Sequence, residues 1–337
     1  MADIAPSISR DSVTARTAAL LVTGLLAIAL ALRLTGPGRV AWIQAAFIVF
    51  GSLVIQALPF VLIGALASAV IEVFVPPSAL ERLVSLPRPL QLPAAGLAGL
   101  AFPICECGSV PVARRLMAKG LLPSAAITFM LAAPVLNPVV IASTFVAYRG
   151  RTALWTMVLG RFGLGLIVAI VVGWVLGGRR KDELLRRSEH HDQTDEHVEL
   201  EAPEPRWRAF FVHLGNDFLF MGRFLLLGAA AAALVQTFLP QELVARVAGI
   251  PILDVVVMMG LALVLSLCSE SDAFIAASFV QFGAAAQLAF LVFGPMVDFK
   301  LGALYAGTFG RKVLRTIVIA VAATTMVGAL WIKVISG

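Results

Sequence analysis

Long apolar stretches make up most of the chain, and short polar segments punctuate them. The longest are Thr17 to Leu32, Ala41 to Val75, Thr152 to Gly177, Phe210 to Leu239 and Thr316 to Ile335. A helix needs about 20 apolar residues to cross a hydrocarbon slab roughly 30 Å thick, and these runs are of that order. Helices are predicted throughout, because in lipid each backbone polar group must be satisfied within its own segment or in a closed barrel. Shorter apolar runs come in pairs: Leu90 to Ile104 with Ser109 to Ala118, and Ile252 to Leu267 with Asp272 to Phe282. At about 1.5 Å per residue most of these reach only part way across. Two half-length helices with a polar tip between them predict a re-entrant hairpin, which a membrane tolerates only where protein or water surrounds it. A helix broken in its middle and then a final helix follow each hairpin.

The two halves of the chain repeat this order at an offset near 163 residues. Gly51 and Gly64 fall on Gly215 and Gly228, Pro76 on Pro240, Cys105 on Cys268 and Gly120 on Gly283. Closing a two-residue gap places Asn137 on Asp298, and the segment from Tyr148 to Arg151 on that from Phe309 to Lys312. Duplicated halves are a common plan for secondary transporters. If each hairpin enters and leaves on one side, each half crosses three times and the halves have opposite orientation. With the connecting segment cytoplasmic, the inside then holds Arg10, Arg16, Arg82, Arg88, Arg114, Arg115, Lys119, the basic residues of 179–208, Arg311, Lys312 and Arg315. Outside are Arg33, Arg39, Arg149, Arg151, Arg246 and Lys333. Hairpins that crossed instead would move Arg10, Arg16, Arg82, Arg88 and the group from Arg311 to Arg315 outside. The inverted arrangement follows the cytoplasmic excess of Lys and Arg far better.

The predicted fold is an all-α integral membrane protein of two inverted repeats, each with three transmembrane helices and a re-entrant hairpin, plus one extra N-terminal helix. Its divisions are 1–40 (tail and extra helix), 41–178 (first repeat), 179–206 (cytoplasmic polar linker) and 207–337 (second repeat). The linker holds three of the four histidines, His190, His191 and His197, and reads as a solvated charged loop.

Composition agrees with this reading: 60% of the residues are hydrophobic and 14% charged, against about 45–50% and about 25% in soluble domains. The net charge of +6 is spread over short inter-helix clusters rather than one basic face, so it reads as a topology signal and not as a nucleic-acid surface. Three cysteines in apolar surroundings cannot form a closed set of disulfides. No nucleotide-binding loop, Ser-His-Asp set or zinc-protease helix is present, so neither an enzyme nor a cofactor is expected.

The sharpest local feature is FPICECGSVPVARRLMAKG, Phe102 to Gly120. Cys105, Glu106, Cys107 and Gly108 fall at the junction of two half-helices, with Ser109 as an N-cap. Its counterpart, SLCSESDAF, brings Cys268, Glu270 and Asp272 to the second junction. A helix N-terminus favours a thiolate or a bound anion. In the inverted arrangement Cys105, Cys107 and Cys268 converge near the midplane, where three sulfurs suit a soft, thiophilic species as substrate rather than a structural metal. The competing account of each cysteine is a small buried hydrophobe at a tight bend. The second feature is the helix break, with Pro134 and Pro138 around Asn137, and Gly294 and Pro295 ahead of Asp298. Proline frees an upstream carbonyl and exposes polar backbone there. Asp298 and Lys300 are expected to face a cavity and to neutralise each other or Asp272. Glu270, Asp272 and Asp298 are the candidates for proton coupling, because an apolar site favours a protonated carboxyl. Arg161, Asp217, Arg223 and Asp254 read as interfacial side chains that snorkel to water.

The residues from Phe102 to Val140, with Pro103, the Cys105 and Cys107 pair, Gly108, Pro111, Gly120 and the break at Pro134, Asn137 and Pro138, resemble a family of predicted bacterial permeases. Some members of that family are organoarsenical efflux permeases. The likeness covers most of the apolar chain and excludes the linker. It implies a multi-pass inner-membrane permease, and a trivalent arsenical as substrate only for some members. A membrane thiol oxidoreductase using Cys105, Cys107 and Cys268, or a non-transporting subunit of a larger complex, are the alternatives; C-x-C disulfides are strained, which weighs against the first. The expected partners are the bilayer, a small-molecule or ionic substrate, a coupling proton and a second copy in a homodimer. Because the linker lacks the apolar surface to fold, removing Glu189 to Pro203 should leave membrane insertion and transport near wild type, measured on the same vesicle preparation.

Overall fold

The computed structural model describes residues 41–75, 87–101, 104–177, 206–238 and 252–336. The predicted N-terminal helix, Phe102, Pro103, Pro76, Pro240 and nearly all of the linker lie outside these residues. Contacts group the chain into two units, residues 1–48 and 49–337.

Every regular element among the described residues is helical. The first half comprises α1 (Ala41–Phe74), α2 (Arg88–Ala98, then a 3-10 turn), α3 (Glu106–Ala118), α4 (Pro123–Leu136), α5 (Pro138–Ala147) and α6 (Leu154–Leu176). The second comprises α7 (Arg206–Phe238), α8 (Leu253–Leu265), α9 (Asp272–Ser278), α10 (Ala284–Phe293), α11 (Phe299–Thr308) and α12 (Arg311–Ser336). The order long helix, two short helices, broken helix, final helix therefore occurs twice. The turns joining α5 to α6 and α11 to α12 both use a glycine at positive φ, Gly150 at 82° and Gly310 at 84°, where an L side chain would be strained.

Five spans are long and apolar enough to cross a membrane: Trp42–Phe74, Pro123–Ala147, Leu154–Leu176, Arg206–Thr237 and Arg311–Val334. The broken pair α10 and α11 follows the short helices of the second half as α4 and α5 follow those of the first. All five tryptophans lie within a few residues of a helix end and are at least half exposed, as expected of side chains at the two membrane–water interfaces. The shortest of these α-helices, α9, has 7 residues and spans only about 10 Å. The apolar run from Asp272 to Phe282 thus stops helical winding at Ser278. Beyond it the Gln287 amide donates to the Phe279 and Phe282 carbonyls, 3.0 Å each, and the chain turns.

The innermost elements are α4 and α10, in which residues 125–136 and 285–293 are all buried. Small residues let neighbours approach α4 closely: an added Cβ at Gly99 would sit 2.7 Å from the Ala133 backbone, and one at Gly165 2.5 Å from Val135. Association in lipid relies on this kind of packing, since burial from water gives no advantage there. Between the halves, α3 packs on α11, α5 on α9 and α6 on α12.

Polar ties fix the helix ends. Lys119, just past α3, donates to the last carbonyls of the α1 segment, Ile71, Glu72 and Val75, at 2.6–2.7 Å. Arg151 donates to the Ala277 carbonyl at the end of α9, 2.8 Å, and Lys333 pairs with Asp254 at 2.7 Å. Asp217 accepts from Ser68 at 2.6 Å and pairs with Arg115 at 3.3 Å. Asp217, Asp254 and Arg161 are thus buried and partnered, not snorkelling. Arg223 does stay exposed, stacked 4.6 Å above the Phe220 ring and 4.9 Å above Phe224.

The closest glycine approach to another backbone is Gly64 on Gly108, where a Cβ on Gly64 would fall 2.3 Å from the Gly108 Cα, whereas one on Gly51 meets nothing within 4 Å. Gly64→Ala should lower stability by about 1–3 kcal/mol, the usual cost of overpacking. Gly51→Ala should not, with thermal unfolding of the detergent-purified protein as the readout.

Candidate functional site

The first turn of α3 and the first turn of α11 bring three ionisable side chains together. Cys105 is extended (φ −75°, ψ 175°), so α3 begins at Glu106. Ser109 is accordingly not the N-cap: it lies inside the first turn and donates to the Glu106 carbonyl at 2.9 Å. Asp298 caps α11 by accepting from the Leu301 N–H at 2.6 Å. Lys300, two residues on, places Nζ 3.6 Å from Glu106 Oε1 and 3.4 Å from Asp298 Oδ2, with all three side chains about 1% exposed.

Both distances exceed the roughly 2.7–2.9 Å of a charge-assisted hydrogen bond, and the two carboxylate oxygens have no hydrogen-bond partner. The group is charge-balanced all the same. Each carboxylate lies at a helix N-terminus worth about half a positive charge. Two such termini and one ammonium offset two carboxylates.

Against this loose triad stands a tight pair. Arg161, in mid-α6 and fully buried, donates from Nη1 to Asp272 Oδ1 at 2.8 Å and from Nη2 to Oδ2 at 2.7 Å. The same guanidinium reaches Thr144 Oγ1 at 3.0 Å and the Ser269 carbonyl at 3.2 Å. Asp272 is thus occupied by Arg161, and Lys300 is shared by Glu106 and Asp298. Ser269 joins the two groups, because its hydroxyl donates to Glu106 Oε2 at 3.1 Å. Glu106 and Ser269 are themselves 163 residues apart, the spacing of the internal repeat.

The other predicted residues lie around this junction. Cys105, Cys107 and Cys268 are all free and buried. Cys107 is within electrostatic range of Cys105, Glu106 and Lys300, and Cys268 of Glu106, Lys300 and Cys107. Among the described residues no group of three or more His, Cys, Asp or Glu is placed to hold a metal ion. Glu270 is half-buried, with Oε2 lacking a partner. Asn137 sits apart from the triad, buried at the break between α4 and α5, where its Oδ1 accepts from Val139 N at 2.9 Å. In the second half the break is tied to the hairpin. Ser266 turns left-handed (φ 46°), donates to the Leu263 carbonyl at 2.9 Å and accepts from Phe299 N at 3.4 Å.

Sequence reasoning missed Arg161, Ser269, Thr144 and Gln56, whose amide donates to Ser271 Oγ at 3.0 Å. The offset of 163 pairs Glu106 with Ser269 and was the available signal for the latter. Arg161 lies in an apolar helix 111 residues from its partner, and only the fold joins them.

Comparison with known proteins follows the same lines. Residues 42–334 match the model of a family described as predicted permease. The UPF0718 protein YcgR of Bacillus subtilis (strain 168) is 37% identical over 288 residues, 85% of this chain and 96% of that protein. A Streptococcus mutans protein named "Putative two-component membrane permease complex subunit" is 34% identical over 265 residues, 78% of this chain and 87% of its own length. No solved structure matches the chain.

Removing the ammonium alone leaves two buried carboxylates with only the two helix N-termini to offset them. Lys300→Met should therefore destabilise the protein by about 3–5 kcal/mol. Lys300→Met combined with Glu106→Gln and Asp298→Asn should recover most of that loss, measured as protein yield and thermal unfolding in detergent.

Proposed function

The chain belongs to the predicted-permease family, and we propose that it is a secondary transporter that moves a small solute past the Glu106–Lys300–Asp298 junction. The observation that carries this reading is the loose triad itself. Two buried carboxylate oxygens face one ammonium without hydrogen bonds, between helices of opposite halves, with free cysteines beside them. Intramembrane ionisable groups that are not locked into tight pairs are where transport pathways place their polar contacts.

The proposed topology is two inverted repeats with re-entrant hairpins, in a bacterial inner membrane, with N-terminus and linker cytoplasmic. Three short bonds support it. Lys119 on the α1 terminus, Arg151 on the α9 terminus and Lys333 on Asp254 each join groups that this topology puts on the same side. Hairpins that crossed would put the partners in each of these bonds on opposite faces of a slab roughly 30 Å thick. The contacts of α3 with α11 and of α5 with α9 are also reciprocal under the repeat, as a two-fold relation requires.

The sulfurs favour a thiophilic solute, a trivalent arsenical being one candidate. The half-buried Glu270 is the carboxyl placed to carry a coupling proton. A second reading, a subunit of a larger permease complex, draws on the Streptococcus relative, which is described as such a subunit. It predicts that the purified chain is inert alone and co-purifies with a partner in stoichiometric amount.

Cys105→Ser and Cys107→Ser keep volume nearly constant and replace soft ligands with hard ones. Vesicles carrying the double variant should lose uptake of phenylarsine oxide, a trivalent organoarsenical, at unchanged protein level. Normal transport by that variant would refute the thiol site. Labelling of a cysteine substituted at Ser188 from outside intact cells would overturn the topology.

A further inference from the structure

We propose that Arg161 and Asp272 form a positioning bracket that holds the tip of the second hairpin against α5 and α6, so that Ser269 reaches Glu106, and that Asp272 is not itself a solute contact. The inference rests on reading the Glu106 junction as the transport site. Three observations carry it. The Arg161 guanidinium is fully buried and each oxygen of Asp272 already accepts from its fork, at 2.7 and 2.8 Å, so the carboxylate charge of Asp272 is met within the protein. The same guanidinium holds the Ser269 backbone carbonyl, and the Ser269 hydroxyl is the group that holds Glu106 Oε2. Thr144 on α5 accepts from Nη1 at 3.0 Å, which anchors the bracket in the first half.

The arrangement is specific to arginine. A planar fork meets a carboxylate bidentately and still has hydrogens for two further acceptors, whereas lysine offers a point charge on a flexible stem. Helix α9 is gripped at its other end too, where Arg151 donates to the Ala277 carbonyl. The hairpin tip is therefore placed by side chains from the opposite half, not by the stiffness of its own short helix.

The test uses N-ethylmaleimide, a small permeant thiol reagent, on the full-length protein in native membrane vesicles. Mass spectrometry reads the modification rates of Cys105, Cys107 and Cys268 in the same molecule. Buried thiols react through local opening, so the rate at Cys268, next to Ser269, reports how firmly the tip is held. Arg161→Lys should raise the Cys268 rate roughly tenfold or more, as loss of a hydrogen bond to a charged group implies, while Cys105 and Cys107 stay within about twofold of wild type, the scatter allowed for untouched sites. Asp272→Asn should give a similar rise, and the two changes together no further rise, because both break one interaction. Arg161→Gln with Asp272→Asn, a neutral pair able to hydrogen-bond, covers the case in which single variants do not accumulate, and should raise the Cys268 rate selectively as well. Equal rises at all three cysteines would mean a general loss of stability and would overturn the bracket, as would unchanged Cys268 labelling in every variant. The labelling needs no solute, so its outcome is independent of whether the serine variants of Cys105 and Cys107 transport.

Discussion

A charge inside a bilayer has to be met within the protein, and this chain does so in two ways within one hydrogen-bonded string. Arg161 and Asp272 use the strongest geometry available to an ion pair, a bidentate fork with both carboxylate oxygens directed at a donor. Glu106, Lys300 and Asp298 stand at 3.4–3.6 Å, close enough to balance charge but too far for hydrogen bonds. Desolvation of a buried pair is repaid only by good geometry. The fork meets that requirement and the triad does not. The triad is instead kept in balance by the N-termini of α3 and α11, the second of which Asp298 also caps directly.

That division of labour follows from how helices end inside the membrane. A continuous helix has no free N–H groups at mid-depth, while a broken one has up to four at each new start. The breaks before α3, α5, α9 and α11 create such starts, and the residues found there are Cys105, Asn137, Ser271 and Asp298. Asn137 and Asp298 close their helices with a side-chain oxygen. Cys105 and Ser271 do not. The open starts are thus the two whose first residues are Glu106 and Asp272, and both lie where the halves touch.

Much of this was legible in the chain. Run lengths separated the long helices from the short ones, and Pro134, Pro138, Gly294 and Pro295 marked the broken helices to within a few residues. What pattern alone did not reveal is pairing. Asp298 and Lys300 were expected to neutralise each other or Asp272, because charge is costly at mid-membrane, and the first of these pairings is the one found. Glu106 was not recognised as the third member, since its link to Lys300 runs between halves. Arg161 read as a snorkelling side chain because that is the default for an isolated arginine in an apolar run. Its burial depends on Asp272, Ser269 and Thr144 arriving from elsewhere in the fold. Ser109 was misread for a local reason: serine is the commoner cap, but the extended conformation falls one turn earlier, at Cys105.

If the halves are inverted repeats, as proposed, the contact between Glu106 and Ser269 also accounts for why the two motifs differ where they do. Residues related by a two-fold meet their own equivalents only on the axis, and these two are equivalent under the offset of 163 and lie 3.1 Å apart. A repeat with identical motifs would place two carboxylates face to face at that distance, an arrangement in which both cannot stay ionised. A hydroxyl in one half relieves the repulsion and supplies the donor that the glutamate needs. With the axial position so divided, the counter-charge for Glu106 has to come from off the axis, and Lys300 on α11 provides it. The equivalent contact of α5 with α9 is served by a different group, Arg161 on Asp272. The halves are thus alike in their helices and unlike in their charges, and the unlikeness begins at the one place where strict symmetry is electrostatically costly.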